Sequence, residues 1–162
     1  MLLTAILPLE AQAQNASSSQ PVPGMTASVA LPHLLANVPF FRELSKEQVQ
    51  WVIDHSREWA VAPGTEIASD VRGGDAVWVL LAGAWRVENA GHITTAGNAD
   101  PAKWYGGRDF SLAVVGQTRL VATATSHVLQ IAQADLDEMI RQGFPVSRHL
   151  EKGLEFYRTA IK

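Results

Sequence analysis

The sequence contains no cysteine in its 162 residues. Disulfide bridges, thiolate metal sites and thiol nucleophiles are therefore excluded together. Because a chain without cysteine suits reducing and oxidising surroundings alike, this absence does not identify the cellular compartment.

Positive charge is also scarce. The chain has 13 Lys and Arg residues against 16 Asp and Glu residues, and its formal net charge is −3. The basic residues form no run, whereas binding to a nucleic-acid backbone needs clustered Lys and Arg. The apolar segment 2–9 is far shorter than the ~18 residues that span a bilayer. We therefore expect no nucleic-acid partner and no membrane span.

Histidines are few and isolated, which bears on metal-dependent catalysis. They lack the His-x-His pair and following glutamate of a facial metal triad. The residues are His33, His55, His92, His127 and His149. Ser111 and Ser126 have no nucleophile-elbow motif around them, so nucleophilic catalysis lacks support. The sequence predicts no catalytic residue, no metal ligand and no cofactor.

Residues 1–30 are predicted to be a flexible leader or the remnant of a signal, because residues 14–30 contain few bulky apolar side chains. The run 2–9 followed by Ala11-Gln12-Ala13 resembles a signal peptide, yet no Lys or Arg precedes it and Pro8 interrupts it. Met25 is a second candidate start. A cytoplasmic protein is favoured, and a periplasmic or secreted one is the alternative if residues 1–13 act as a signal.

Residues 31–162 are expected to form one domain that begins and ends with helices, since 47% of the chain is apolar. Helical spacing starts at Leu34, and Ser45 opens a second helix through a capping box with Gln48. Asp135 is expected to start another helix, and a C-terminal helix is predicted over about 145–161.

The stretch between these helices has apolar residues with a period of two, divided by glycine and aspartate. The predicted strands are 59–61, 66–68, 76–81, 84–87, 121–125 and 128–131, with turns at 73–75 and Gly83 and a polar, turn-rich stretch at 91–103. This order predicts an α+β protein, a double-stranded β-helix (β-roll or jelly roll) of about eight strands flanked by N-terminal and C-terminal helices.

Three motifs follow one another in the chain: VPFFRELS at 38–45, APG at 62–64 and GDAVWVLLAG at 74–83. Together they resemble the cyclic nucleotide-binding domain family, the effector domain of Crp-like regulators, over about residues 34–160. The resemblance implies a β-roll with helices packed at its ends. It also implies a ligand such as cyclic AMP or cyclic GMP beneath a phosphate-binding segment.

The phosphate-binding segment of the family matches residues 104–119. Its aromatic-aromatic-glycine-glutamate run falls on Trp104-Tyr105-Gly106-Gly107, so glycine replaces the carboxylate that would accept a hydrogen bond from the ribose. Asp109 could take the place of that carboxylate if the turn directs its side chain toward the ribose. We favour Asp109 as the N-cap of the following short helix, because aspartate is a preferred capping residue.

The phosphate arginine is ambiguous in this match. Gln117-Thr118-Arg119-Leu120 resembles the family's proline-arginine-serine/threonine-alanine run, but an ungapped match puts Gly116 at the arginine position. A shorter loop would bring Arg119 and the Thr118 hydroxyl to the phosphate; otherwise Arg119 lies on a strand facing solvent. Arg108 is a second candidate cation, and Trp104 could stack on a flat ring. The candidate ligand-binding residues are Trp104, Tyr105, Gly106, Gly107, Arg108, Asp109, Leu112, Ala113, Thr118 and Arg119.

The last helix carries a stripe with 4-3-4-3-4 spacing, which fits the inner face of an amphipathic helix or a coiled-coil seam. The stripe consists of Gly143, Ser147, Leu150, Leu154, Tyr157 and Ile161. In Crp-like proteins this helix forms the dimer interface. Since the chain ends at Lys162, we expect no helix-turn-helix domain after it, and an output through a protein partner or a homodimer.

These features together predict a non-enzymatic regulatory or ligand-sensing module with an altered pocket. A protein-interaction scaffold without a small-molecule ligand is the alternative. A cupin-like enzyme comes third, because a cupin barrel has a similar pattern of strands.

Overall fold

The computed structural model describes residues 22–29, 31–70, 75–114 and 116–160. These residues form two antiparallel sheets, with strand orders β1-β2-β9-β4-β7 and β3-β8-β5-β6. The strands are β1 Met25–Ser28, β2 Ser56–Val61, β3 Glu66–Ser69, β4 Ala76–Ala82, β5 Trp85–Asn89, β6 His92–Ala96, β7 Trp104–Gly106, β8 Thr118–Ala122 and β9 Ser126–Ala132. The arrangement confirms the predicted β-roll.

Two of the described helices lie between β1 and β2, one lies between β7 and β8, and two follow β9, so the domain does not begin with a helix as expected. They are α1 Leu31–Asn37, α2 Lys46–Asp54, α3 Gly107–Ala113, α4 Gln133–Arg141 and α5 Ser147–Ala160. The capping box of α2 is confirmed: the Gln48 N–H donates to Ser45 Oγ at 3.1 Å, and the Ser45 N–H donates to Gln48 Oε1 at 3.0 Å. Helix α4 begins two residues before Asp135, and α5 begins at Ser147 rather than at Pro145.

The expected start of order near residue 31 is wrong. Strand β1 pairs with β2 in the first sheet, and Met25 is buried in the core. Met25 is the only fully buried residue of β1, so the strand has no apolar alternation that would predict it. Residues 1–21 and the turn residues Gly73 and Gly74 lie outside the described residues, and the choice between leader and signal stays a prediction.

The stretch 91–103 contains a strand that its polar composition did not predict. Strand β6 pairs with β5 at the edge of the second sheet, and only Ala96 of its five residues is buried. Backbone hydrogen bonds to a neighbouring strand can thus order a segment that buries little apolar surface. The strand expected at 121–125 is also displaced, because β8 covers Thr118–Ala122.

Helix α5 is fixed to β7 by buried aromatic side chains. The Trp104 indole N–H donates to the His149 carbonyl at 3.0 Å, and the Tyr157 hydroxyl donates to the Trp104 carbonyl at 2.7 Å. Gly153 lies where a Cβ would come within 2.9 Å of the Pro101 carbonyl oxygen. The absence of a side chain at Gly153 therefore lets the helix approach the strand closely.

In the part of the chain that the structure describes, no helix has both the length and the apolar character needed to cross a bilayer.

Candidate ligand-binding site

The turn from β7 into α3 requires glycine at two consecutive positions. Gly106 and Gly107 have φ angles of 90° and 84°, in the left-handed region that favours glycine. A Cβ on Gly106 would lie 2.7 Å from the Ala76 carbonyl oxygen, and one on Gly107 would lie 2.5 Å from Val77 Cγ2. Both positions therefore lack the space and the backbone geometry for a side chain.

The expected capping role of Asp109 is wrong. The N-cap of α3 is Gly106, and the helix begins at Gly107. The glycine pair lets the chain turn into the helix earlier than a side-chain cap at Asp109 would. Asp109 instead lies exposed in the first turn, where its negative charge interacts favourably with the helix dipole.

A small cavity lies between this turn and the end of β3. Its volume is about 60 Å³, and we call it the α3 cavity. It is lined by Ser69, Asp70, Ala76, Tyr105, Gly106, Gly107, Phe110 and Ser111. Small-molecule sites in proteins usually enclose about 300 Å³ or more, so the cavity is too small for a nucleotide in this conformation.

A chain of hydrogen bonds through Thr118 links Asp70 and Tyr105, two residues that line the α3 cavity. The Thr118 main-chain N–H donates to Asp70 Oδ2 at 2.9 Å, and the Thr118 hydroxyl donates to Asp70 Oδ1 at 2.7 Å. The Tyr105 hydroxyl lies 2.6 Å from Thr118 Oγ1. Since the single proton of the Thr118 hydroxyl goes to Asp70, the Tyr105 hydroxyl is the donor in this contact.

Burial raises the pKa of Tyr105 to about 12, so its phenol keeps the proton that it donates. The Tyr105 ring packs against Phe110 with centroids 4.5 Å apart. Phe110 in turn contacts Tyr157 of α5 at 5.0 Å. Aromatic side chains therefore occupy the apolar side of the cavity.

Arg119 lies on the outer side of β8, away from the α3 cavity. Its Nε lies 2.8 Å from Glu66 Oε2, its Nη1 lies 2.9 Å from Glu88 Oε2, and half of its side chain is exposed. Hydrogen bonding to Glu66 raises the pKa of the Arg119 guanidinium. Of the two alternatives for Arg119, the structure has the residue on a strand facing solvent.

The carboxylates around Arg119 line a shallow basin of about 590 Å³. The basin is lined by Glu66, Ser69, Asp70, Glu88, Ala90, Gly91, Gln117, Thr118 and Arg119. Three carboxylates against one guanidinium make this surface unfavourable for a phosphate.

Arg108 connects α3 to α4. Its Nη2 lies 2.8 Å from Asp137 Oδ2, and its main-chain N–H donates to Gln133 Oε1 at 2.8 Å. Leu112 is 78% exposed, and Ala113 is half-buried. None of Arg108, Leu112 and Ala113 lines the α3 cavity.

Trp104 is buried, with 2% of its surface exposed. Its ring meets Phe110 and Tyr157 edge-on, with centroids 6.4 and 5.9 Å away. In this conformation neither face is open to a stacking ring, and Trp104 packs in the core.

Part of the predicted stripe faces the chain's own core from α5. Leu150 and Tyr157 are buried, and Leu154 is half-buried against the core. These three positions form the inner face of an amphipathic helix. The two stripe positions before them are exposed, and the first precedes α5: Gly143 and Ser147. Ile161 lies outside the described residues, and the homodimer stays a prediction.

Comparison with known proteins gives matches among solved structures alone. No family model matches the sequence, and no curated protein matches it. A cyclic nucleotide-binding domain from Methylobacillus flagellatus KT is 14% identical with a TM-score of 0.55, over 85% of this chain and 83% of that one. A putative cyclic nucleotide-binding protein from Geobacter metallireducens GS-15 is 20% identical with a TM-score of 0.55, over 79% and 94%.

A third structure, described as Sp-2Cl-cAMPS bound to PKAR CBD2, is 16% identical with a TM-score of 0.59, over 78% of this chain and 84% of that one. This chain has the cyclic nucleotide-binding fold. The cyclic nucleotide-binding fold confirms the architecture that the three sequence motifs implied. At these identities the likeness concerns the fold, and the role of each side chain has to be argued from this chain's own contacts.

Within this cyclic nucleotide-binding fold, the candidate residues separate into two groups. Tyr105, Gly106 and Gly107 line the α3 cavity, and Thr118, which does not line it, is hydrogen-bonded to Tyr105. The other candidates lie in the core, on α3 or on the outer face of the second sheet. Asp70 was not predicted, because the β3–β8 pairing brings it to Thr118 from 48 residues away.

Among the residues that the structure describes, no three His, Asp or Glu side chains are grouped as metal ligands. The cupin-like alternative therefore gains no support from the described part of the chain.

Proposed function

We propose that this chain is a non-enzymatic regulatory module whose pocket is altered so that it binds neither cyclic AMP nor cyclic GMP. The observation that carries the proposal is the hydrogen-bonded chain Tyr105–Thr118–Asp70 in the α3 cavity. It uses the N–H and hydroxyl of Thr118 that a phosphate would need, and it leaves about 60 Å³ of space.

The distribution of charge supports the same proposal. A cyclic nucleotide carries one negative charge, and Asp70 adds another beside the place where it would lie. Arg119 is already paired with Glu66 and Glu88, so turning it inward would break two ion pairs. The nearest cation on α3, Arg108, is paired with Asp137.

A protein-interaction scaffold without a small-molecule ligand is the second candidate, because the same occupied cavity favours it. In both cases the output is proposed to pass through a protein partner or a second copy of the chain. The inner face of α5 is used within the domain, so we place such a contact on other surfaces.

Titration of the full chain with cyclic AMP and cyclic GMP, followed by tryptophan fluorescence, tests the proposal. Trp78 Cδ1 lies 3.7 Å from the position of a Cβ on Gly106, so a ligand there would disturb an indole. We expect no saturable change at millimolar nucleotide, in the wild type or in Arg119→Ala. Saturable binding by the wild type would show that the proposal is wrong, and its loss in Arg119→Ala would show that Arg119 recognises the phosphate.

A further inference from the structure

The carboxylate of Asp70 is bound in the way that a protein binds an oxyanion. Its two oxygens accept separate hydrogen bonds from one residue, the Thr118 N–H at 2.9 Å and the Thr118 hydroxyl at 2.7 Å. Hydrogen bonds to an ionised acceptor are about twice as strong as neutral ones. Thr118 is 2% exposed, so its two donors are removed from competing water.

Tyr105 extends this arrangement by one more donor. Its hydroxyl donates to Thr118 Oγ1 at 2.6 Å, which polarises the Thr118 hydroxyl toward the Asp70 carboxylate. Each hydroxyl proton therefore points toward the anion. The site is built to stabilise one negative charge, and a side chain of the same chain supplies that charge.

Asp70 is also accessible, unlike the donors that bind it. It is exposed to solvent and lines both the α3 cavity and the basin around Arg119. Removing its carboxylate would enlarge both spaces, take away the acceptor of the Thr118 N–H, and leave the Thr118 hydroxyl with the Tyr105 hydroxyl alone. Buried donors without partners are costly, and a small anion from solution could satisfy them.

We propose that Asp70 is a built-in anionic ligand, and that the Thr118 N–H and hydroxyl form an oxyanion site that it occupies. The proposal rests on the proposed function, in which no external nucleotide uses this cavity. The ligand class is a small oxyanion, a carboxylate or a phosphate. Asp70 thus acts as an autoinhibitory contact that keeps the site closed to such anions.

The test is anion rescue of Asp70→Ala in the full chain. The thermal midpoint of the variant is measured in rising sodium acetate and, separately, sodium phosphate, with sodium chloride holding the ionic strength constant. We expect a saturable rise of about 3–6 °C at ten times the dissociation constant, and no such rise in the wild type. A third arm with cyclic AMP distinguishes a nucleotide phosphate from a free anion.

Two variants serve as matched controls. Asp109→Ala removes an exposed aspartate of α3 that does not line the cavity, and we expect no anion response from it. Asp70→Ala combined with Thr118→Val removes the hydroxyl donor. We expect this double variant to bind acetate and phosphate at least tenfold more weakly than Asp70→Ala does. An equal response in Asp109→Ala, or an unchanged one in the double variant, would mean that the anions act elsewhere.

A folded Asp70→Ala protein with no response to acetate or phosphate overturns the inference. If Asp70→Ala does not fold, the anion titration is replaced by a measurement of amide hydrogen exchange at Thr118 in Asp70→Asn. Loss of the charge should speed exchange of the Thr118 N–H by about tenfold, and equal exchange in variant and wild type overturns the inference. Cyclic nucleotide binding by the wild type, in contrast, refutes the proposed function.

Discussion

Replacing Gly153 by alanine should weaken the attachment of α5 to the β-roll. A Cβ at this position would lie 2.6 Å from Trp104 Cε2 and 2.9 Å from the Pro101 carbonyl oxygen. Both atoms are held in place, one in a buried indole and one in backbone, so the helix has to move. Movement of the helix would lengthen two hydrogen bonds, the one from the Trp104 indole to the His149 carbonyl and the one from the Tyr157 hydroxyl to the Trp104 carbonyl.

The change in the free energy of unfolding is the balance of opposing contributions. Overpacking a core costs about 1–3 kcal/mol, and each weakened hydrogen bond costs up to about 1 kcal/mol. Alanine gains about 1 kcal/mol over glycine inside a helix. The steric term exceeds this gain, because the short contacts are to rigid atoms. We expect Gly153→Ala to lower the free energy of unfolding by about 2 kcal/mol.

Urea unfolding at pH 7, followed by circular dichroism, measures this effect. Glu151→Ala is the matched control, since Glu151 lies exposed on the same helix and its loss should change the free energy of unfolding by less than about 0.5 kcal/mol. A Gly153→Ala protein as stable as the wild type, or more stable, would refute the close packing of α5 against Trp104.

Three further variants test the ion pairs of Arg119, the buried His149 of α5 and the turn from β7 into α3. Arg119→Met should cost at most about 1 kcal/mol in urea unfolding, and less at high salt, because its ion pairs are half-exposed. Burial and the nearby cation Lys103 lower the pKa of His149 below its ordinary 6.5. The unfolded chain therefore binds the proton more readily, the free energy of unfolding should fall as the pH drops below about 6.5, and His149→Phe should reduce that fall. Gly107→Glu should lower the thermal midpoint without creating nucleotide binding in calorimetry, because a Cβ would lie 2.5 Å from Val77 Cγ2.

The parts of the fold that the sequence predicted are those in which local pattern and burial agree. Ser45 and Gln48 cap α2 as expected because a capping box depends on residues three apart. The strand of 76–81 was recognised because almost all of β4 is buried. Strands β1 and β6 were missed because each buries a single residue. Each is held chiefly by backbone hydrogen bonds to the neighbouring strand, β2 or β5.

The candidate site was predicted less completely, for a related reason. Gly106 and Gly107 mark the turn in the sequence, since consecutive glycines often accompany unusual backbone angles. Asp70 gives no local signal, because its partner Thr118 becomes a neighbour only through the pairing of β3 with β8. The register of Arg119 was open for the same reason, and its ion pairs with Glu66 and Glu88 show which way its side chain points.

The turn at Gly107 and the carboxylate of Asp70 both bear on the proposed absence of nucleotide binding. The close approach of Val77 to Gly107 leaves no room for a side chain there, so this position cannot hold a glutamate without a change of backbone. Asp70 also lines the α3 cavity and accepts the hydrogen bonds of Thr118. The proposed function implies that nucleotide binding would need three changes at once: removal of the Asp70 charge, an inward cation and a new path for residues 106–107. We therefore expect a single substitution at any one of these places to create no nucleotide binding.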